Sequence, residues 1–346
     1  MIVFHSEDAA LHDPVSFVRH GKAIPHPENA SRYRLLLDAV KAAGHDLRLT
    51  TNWGEEPILR VHDADYVNFL RSAWDTATAN GMEGDEIVTS QFARVPPLQR
   101  PASLPGLMGL YSSDTSTGIR SGTWQAAYGA AQTAISAARQ VLASGQTVYA
   151  LCRPPGHHAY RAHASGFCFL NNAAIAAEQL LAELDRVAIL DIDVHHGDGT
   201  QHIFYSRGDV LNVSIHASTE TYFPHFSGSA AERGEGAGEG MNLNFPLAHG
   251  SGDEAYVAAI AQGLETIKGF GPQALIVSLG LDAAEDDPIG VLNVTEEGFA
   301  RAASLIASLG VPSLLVQEGG YPSAALQSNL RAFLSAYDEI AERAAD

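Results

Sequence analysis

Val187-Ala-Ile-Leu-Asp191-Ile-Asp193-Val-His195-His196-Gly-Asp198-Gly199 is the stretch on which the rest of the chain is organised. It opens apolar, as a strand buried on both faces does. It then turns into five ionisable groups within eight residues and stops at Gly197 and Gly199. Residues i, i+2 and i+4 of a strand point the same way, so Asp191, Asp193 and His195 share one side for as long as the chain stays extended. Two carboxylates and an imidazole converging at the end of a buried strand are costly unless a cation sits between them. A divalent metal is the simplest such cation.

Outward from this stretch the chain alternates apolar strands with helices. Strands are expected at Ile2–His5, Thr147–Cys152, Val210–His216, Leu243–Pro246, Ala274–Gly280 and Ser313–Gln317. Helices are expected at Ala30–Ala43, capped by Asn29, and at Ala64–Asn80, Thr123–Ser144, Asn172–Glu183, Thr200–Tyr205, Asp253–Lys268, Thr295–Leu309 and Ala324–Arg343. This alternation implies an α/β fold with a mostly parallel sheet covered on both faces. No linker or repeat divides residues 1–346, which therefore read as a single domain. Periodicity disappears only in Gly81–Gly122, a long insertion rich in Pro, Gly, Ser and Thr. It retains Phe92, Leu104, Leu107, Met108, Leu110 and Tyr111 and reads as a folded excursion.

In parallel sheets the working groups lie beyond the carboxyl ends of the strands. Arg153-Pro-Pro-Gly-His157-His158, Asp191 to Asp198, His216, Leu281-Asp282 and Glu318-Gly-Gly-Tyr321 each follow a different strand. Asp193, His195 and Asp282 make a three-ligand set that leaves one position open, as catalytic zinc requires. With two carboxylates in the set, Fe(II), Co(II) and Mn(II) are also admitted. His157 and His158 follow a Pro-Pro-Gly break that lets both rings face one site. They suit metal ligation or acid–base work, the latter with Asp191 and Asp198 to fix their tautomers. Tyr321 after a Gly pair can offer a hydroxyl to a developing oxyanion.

The totals exclude some functions. With 21 basic and 40 acidic residues, a formal charge of −19 excludes nucleic acid as a partner and favours a cationic small molecule. No apolar run is long enough to span a bilayer, and the start Met-Ile-Val-Phe-His-Ser does not read as a signal peptide. Cys152 and Cys168 read as buried free thiols, and a cytoplasmic protein is expected.

Together Arg153–His158, Ser165-Gly-Phe-Cys-Phe-Leu-Asn-Asn172, Asp191–Gly199, Gly280-Leu-Asp-Ala-Ala284 with Asp287-Pro288, and Glu318–Tyr321 resemble the histone deacetylase superfamily. The resemblance is greatest to its bacterial acetylpolyamine amidohydrolase branch, and it runs in motif order from about Pro25 to Tyr321. It implies the three-layer arginase-deacetylase fold, an eight-stranded parallel sheet flanked by helices, and metal-dependent hydrolysis of an acetylated amine. Carried onto this chain, it makes Asp193, His195 and Asp282 the ligands of one zinc, or of Fe2+ or Co2+. It makes His157 and His158 an acid–base pair held by Asp191 and Asp198, and Tyr321 the oxyanion donor. Phe167 and Phe223 become the walls of the acyl-amine tunnel, with Gly166 and Ile289 beside it. A structural potassium would use main-chain oxygens of Asp191, Asp193, His195 and Ile215 and the side chains of Asp191 and Ser214.

In the acetylpolyamine branch the loop matching Gly81–Gly122 builds a homodimer interface, narrows the site and carries acids that receive a distal ammonium. Here Pro105 and Ser116 stand where two of those acids are expected, with Asp114 nearby but out of register. The alternatives to a small-amine deacetylase are a protein acetyl-lysine deacetylase, a non-catalytic acetyl-amine binder and a two-metal hydrolase of the arginase type. A binder needs no acid–base pair, and no second ligand set is evident.

Overall fold

The computed structural model describes residues 1–345 apart from 20, 94–96 and 98. Its strands are β1 (Ile2–His5), β2 (Ser16–Arg19), β3 (Lys22–Pro25), β4 (Asp46–Leu49), β5 (Val148–Leu151), β6 (Val187–Asp191), β7 (Val210–Ala217), β8 (Asn242–Leu247), β9 (Ala274–Leu279) and β10 (Ser313–Gln317). Eight of them form one parallel sheet in the order β4-β1-β5-β10-β9-β6-β7-β8. β2 and β3 form a separate antiparallel hairpin.

Every residue of β5, β6, β7, β9 and β10 is buried; β6 is apolar up to Asp191, as such burial favours, while β7 sets Asn212, Ser214 and His216 among its apolar residues. Alternate residues enter opposite layers. Val187 and Ile189 pack with the helices Ala64–Ala79, Thr123–Ser144 and Asn172–Leu181. Ala188 and Leu190 pack with Ala30–Ala42, Asp253–Phe270, Glu296–Ala307 and Leu326–Ala345. The result is the three-layer α/β architecture expected from the sequence.

Local signals set several helix ends, the expected Asn29 cap among them. Asn29 accepts from the Ser31 amide and Thr295 from the Gly298 amide. Gly145, at φ +66°, ends the helix Thr123–Ser144 in the left-handed conformation.

Several features differ from the sequence reading, among them a short helix at Glu56–Val61. The edge strand β4, Asp-Leu-Arg-Leu, is short and largely exposed and so carries no apolar run. The hairpin β2–β3 is equally exposed and was not read from the sequence. Within Gly81–Gly122 a helix runs from Leu104 to Tyr111, with Pro105 in its first turn, where proline's missing N–H costs nothing. Its Met108 and Tyr111 are buried against the body of the fold, Tyr111 lying 4.9 Å from the Phe69 ring. Phe92 stays exposed.

Candidate active site

β6 ends at Asp191, and the chain beyond it is shaped by its own carboxylates. Asp191 Oδ1 accepts the Asp193 amide at 3.1 Å, and Asp193 Oδ1 accepts the His195 amide at 2.9 Å. Asp282, just past β9, accepts the Val194 amide on Oδ1 at 3.0 Å. Gly319, just past β10, donates its amide to Asp193 Oδ2 at 2.7 Å. These bonds bring Asp193, His195 and Asp282 together, with ligand atoms all within 4.8 Å of one another. This is the one such group of His, Cys, Asp or Glu found among the described residues.

His195 Nδ1 lies 3.1 Å from both Asp193 Oδ1 and Asp282 Oδ2. Its Nε2 is 2.8 Å from the Tyr222 hydroxyl, which donates to the Ile289 carbonyl at 2.6 Å and so receives the Nε2 proton. Nδ1 is therefore the atom turned toward the two carboxylates. Burial opposes charge on His195, yet its bonds to Asp193 and Asp282 outweigh burial and raise its pKa to about 9. Burial and the neighbouring Asp193 push Asp282 up. A slot that pulls a proton this strongly suits a divalent cation, whose charge two carboxylates balance. Gly319 and Gly280 make room for it: a Cβ on Gly319 would sit 2.5 Å from Asp193 Oδ2, and one on Gly280 would sit 2.5 Å from Asp193 Cα.

His157 and His158 stand with ring centroids 4.1 Å apart. His157 Nδ1 lies 2.9 Å from Asp191 Oδ2, and His158 Nδ1 lies 2.7 Å from Asp198 Oδ1. Both rings thus turn Nε2 away from their carboxylate. Neither belongs to the three-residue cluster, which leaves them free for proton chemistry. Tyr321 is buried and, with His158, lines a cavity of about 470 Å³, which Phe167, Phe223, Gly166 and Ile289 also line.

Residues 26–337 match the histone deacetylase domain. The chain belongs to the histone deacetylase family. It is 44% identical to acetylpolyamine amidohydrolase 1 of Pseudomonas aeruginosa, over 99% of this chain and 100% of the relative. It is 42% identical to acetylpolyamine amidohydrolase of Mycoplana ramosa, over 93% of this chain and 95% of that one. A crystal structure of acetylpolyamine aminohydrolase from Burkholderia pseudomallei superposes with a TM-score of 0.95 at 40% identity, covering 98% of this chain and 99% of that one. With relatives named amidohydrolases and deacetylases, the chain is a hydrolytic deacetylase, and the family implies a metal cofactor that the Asp193–His195–Asp282 cluster can hold.

The two imidazoles of this deacetylase are electrostatically unlike. Burial lowers His157, but Asp191 and Asp193 outweigh burial and raise it well above the usual histidine range. Burial and the adjacent His157 and His195 hold His158 well below that range. One ring tends to be charged and the other neutral, which is how a pair divides acid and base roles. Burial also lifts Asp198 to about 6, with Tyr160 donating to its Oδ2 at 2.9 Å.

Phe167 and Phe223 both line the cavity. Phe167 lies 5.7 Å from the Tyr321 ring and Phe223 lies 4.9 Å from His158, both edge-on. Phe167 holds φ at +69°, a strained value for a side chain this large, and Gly166 beside it holds +50°. A Cβ on Gly166 would come within 2.5 Å of His158 Cδ2. Ser214 is the β7 partner of Asp191, as a shared ion would require, but its hydroxyl now meets His216 Nδ1 at 2.8 Å and His196 Nδ1 at 3.2 Å. Ile215 lies next along β7, paired with Phe245. His216 is not at the cavity: it lies inside β7, its Nε2–H donating to the Gly228 carbonyl at 2.9 Å, because the strand runs one residue past it.

Several supports escaped the sequence reading. Glu318 accepts the amides of Gly156 and His157 at 2.6 and 3.0 Å and thereby sets the histidine loop. Asp287 accepts the amides of Tyr321, Ile289 and Gly290. Asp114 accepts from Ser165 Oγ and the Gly166 amide. Tyr222 carries no local signal beyond the neighbouring Phe-Pro pair. Each of the four makes at least one of its bonds across a long sequence separation.

Proposed function

We propose that this deacetylase removes acetyl groups from small, linear acetylated amines, acetylpolyamines among them, with one divalent ion held by Asp193, His195 and Asp282. The observation that carries the reading is the cavity itself: its lining brings the aromatic side chains Phe167 and Phe223 together with His195 of the three-residue cluster, His158 of the histidine pair and Tyr321. The relatives named acetylpolyamine amidohydrolase support the substrate class. Zinc is the first candidate, with Fe2+ and Co2+ also compatible with a donor set rich in carboxylate.

When bound, such an ion supplies Lewis acidity for the acetyl carbonyl and makes a water easier to deprotonate. His158, neutral and with Nε2 free, takes the proton of the attacking water and returns it to the leaving amine. Asp198, fixed by Tyr160, keeps His158 in the required tautomer. His157, charged and held by Asp191, stabilises negative charge gathering nearby. Tyr321 donates its hydroxyl to the developing oxyanion. The aromatic walls shed water from the acyl-amine chain. A structural potassium bound by Asp191, Asp193, His195, Ser214 and Ile215 would brace the start of the ligand loop.

We read residues 1–346 as one working domain, in the cytoplasm, acting as a homodimer with Gly81–Gly122 at the interface. Among the described residues no helix is long and apolar enough to cross a membrane. Acetyl-lysine in proteins is the second reading, supported by a relative named histone deacetylase 8 from Arabidopsis thaliana at 33% identity over 86% of this chain and 74% of that one. A deacetylation screen with an acetylated diamine, an uncharged acetylated alkylamine and an acetyl-lysine peptide decides between them. Hydrolysis of neither small substrate overturns the first reading.

A further inference from the structure

We propose that Arg19 selects the distal end of the substrate, so that the mouth takes an acetylated amine ending in a carboxylate in preference to one ending in an ammonium. The inference rests on the deacetylase reading above and narrows its substrate.

Arg19 closes β2, two residues after Phe17, so the two side chains share a face of the hairpin. Phe17 packs edge-on against the tunnel wall Phe167, at 5.5 Å, and also lies 5.8 Å from His26. That packing turns Arg19 onto the cavity, which both residues line. The guanidinium makes one hydrogen bond among the described residues, a long 3.4 Å contact to the Pro288 carbonyl, and no salt bridge among them. The next carbonyl, of Ile289, accepts from Tyr222, which holds His195. Arg19 is therefore joined to the rim of the site and keeps most of its donors unspent.

The carboxylate at the same mouth is not equally free. Asp114 accepts from the Ser116 amide and Ser165 Oγ at 2.7 and 3.1 Å, from the Gly166 amide at 2.8 Å and from Ser116 Oγ at 2.5 Å. Four donors occupy its two oxygens, and little capacity remains for an incoming ammonium. Ser116 lines the cavity without charge, and Pro105 lies in the first turn of the Leu104–Tyr111 helix. Arg19 is thus the one permanently charged group at the mouth with open hydrogen-bonding capacity among the described residues. A guanidinium matches a carboxylate in a two-pronged geometry, and it repels an ammonium. The overall charge of −19 favours cations at long range, but that field is screened within about 8 Å at 0.15 M salt, whereas Arg19 acts at contact.

The test measures kcat/KM at physiological salt on three substrates of matched chain length: an N-acetylated diamine, a neutral N-acetyl alkylamine and an N-acetylated ω-amino acid. It is run on wild type, Arg19→Gln and Arg19→Glu, each referred to its own rate on the neutral substrate. Wild type is expected to prefer the anion over the cation by about tenfold or more, mainly through KM. Arg19→Gln should erase the preference and Arg19→Glu should reverse it. A wild type that prefers the diamine, or a ratio unmoved by either substitution, overturns the role of Arg19. If the neutral substrate is hydrolysed in that case, the deacetylase reading survives; if none of the three is hydrolysed, it fails as well. A free ω-amino acid and a peptide ending in acetyl-lysine both present this carboxylate, so a dipeptide with C-terminal acetyl-lysine is compared as acid and as amide. An acid-over-amide preference lost in Arg19→Gln assigns the peptide as a source, and its absence confines the carboxylate to the free amino acid.

Discussion

Tyr222→Phe removes one oxygen and should weaken metal binding. The hydroxyl receives the His195 Nε2 proton at 2.8 Å and donates to the Ile289 carbonyl at 2.6 Å, in a buried setting. Burial, with Asp282 and Asp193 nearby, raises its pKa, so it acts as a neutral phenol at any working pH. Phenylalanine keeps the ring, which stacks on His195 with centroids 4.9 Å apart. What is lost is the partner of one buried donor and one buried acceptor, each worth about 1–3 kcal/mol when stranded. The donor matters more, because it commits Nδ1 to the side of Asp193 and Asp282. Losing a partner of this kind typically weakens metal affinity by about 10–100-fold. The assay is zinc competition against a chromogenic chelator, with thermal melts of the metal-free and zinc-loaded protein beside it. The expected outcome is a weaker zinc Kd and a smaller zinc-induced rise in Tm. An unchanged zinc Kd refutes the argument that Tyr222 fixes the ligand tautomer.

His158→Ala and Tyr321→Phe should each cut kcat by roughly 100-fold or more while zinc content persists, checked by steady-state kinetics with metal analysis; near wild-type turnover in both sinks the role assignment. Exhaustive chelation should abolish deacetylation and added zinc or cobalt should restore it; full activity in metal-free protein contradicts the cluster's role. Burial lowers His62 from 6.5 to about 4, with its Nε2 accepting the Asn171 amide at 2.9 Å. The unfolded chain thus takes up this proton before the folded one does, and stability falls by about 2 kcal/mol per such group between pH 7 and pH 5. Denaturant titrations at both pH values should show a loss smaller by about that amount in His62→Gln, and equal losses count against it. Light scattering should find a dimer, and small acetylated amines should exceed an acetyl-lysine peptide in kcat/KM; a monomer that prefers the peptide overturns the part given to Gly81–Gly122.

What was legible in the sequence follows from the range of each signal. β6 could be read to the residue because a strand buried on both faces is a local apolar run, and the charged turn after it is equally local. The positions of Asp282 and Tyr321 followed from one further rule, that parallel strands deliver their polar ends to one edge. β4 and the hairpin β2–β3 were illegible because they are exposed on one or both faces, so burial left no pattern in them. The helix Leu104–Tyr111 was hidden by its Pro and two Gly, residues that usually break a helix. The supporting roles of Tyr222, Asp114, Asp287 and Glu318 were missed for another reason. Each makes at least one hydrogen bond to a residue far along the chain, Glu318 to Gly156 across 162 positions and Asp287 to Tyr321 across 34, and no short window of sequence contains both ends of such a bond.

The floor of the cavity and its mouth are built in different ways. Floor residues are tied to one another: Gly319 donates to Asp193, Asp282 to Val194 is a second tie, and Glu318 holds His157. Any side chain at Gly319 would intrude on two of the three clustered residues at once, although Gly319 has no chemistry of its own. The mouth, by contrast, borrows a two-stranded hairpin that lies outside the main sheet and rests on Phe167 through one aromatic contact. Substitutions on that hairpin leave every floor hydrogen bond in place. Divergent descent therefore has a cheap direction and a forbidden one: substrate preference can drift a residue at a time at the rim, while the reaction beneath is inherited whole.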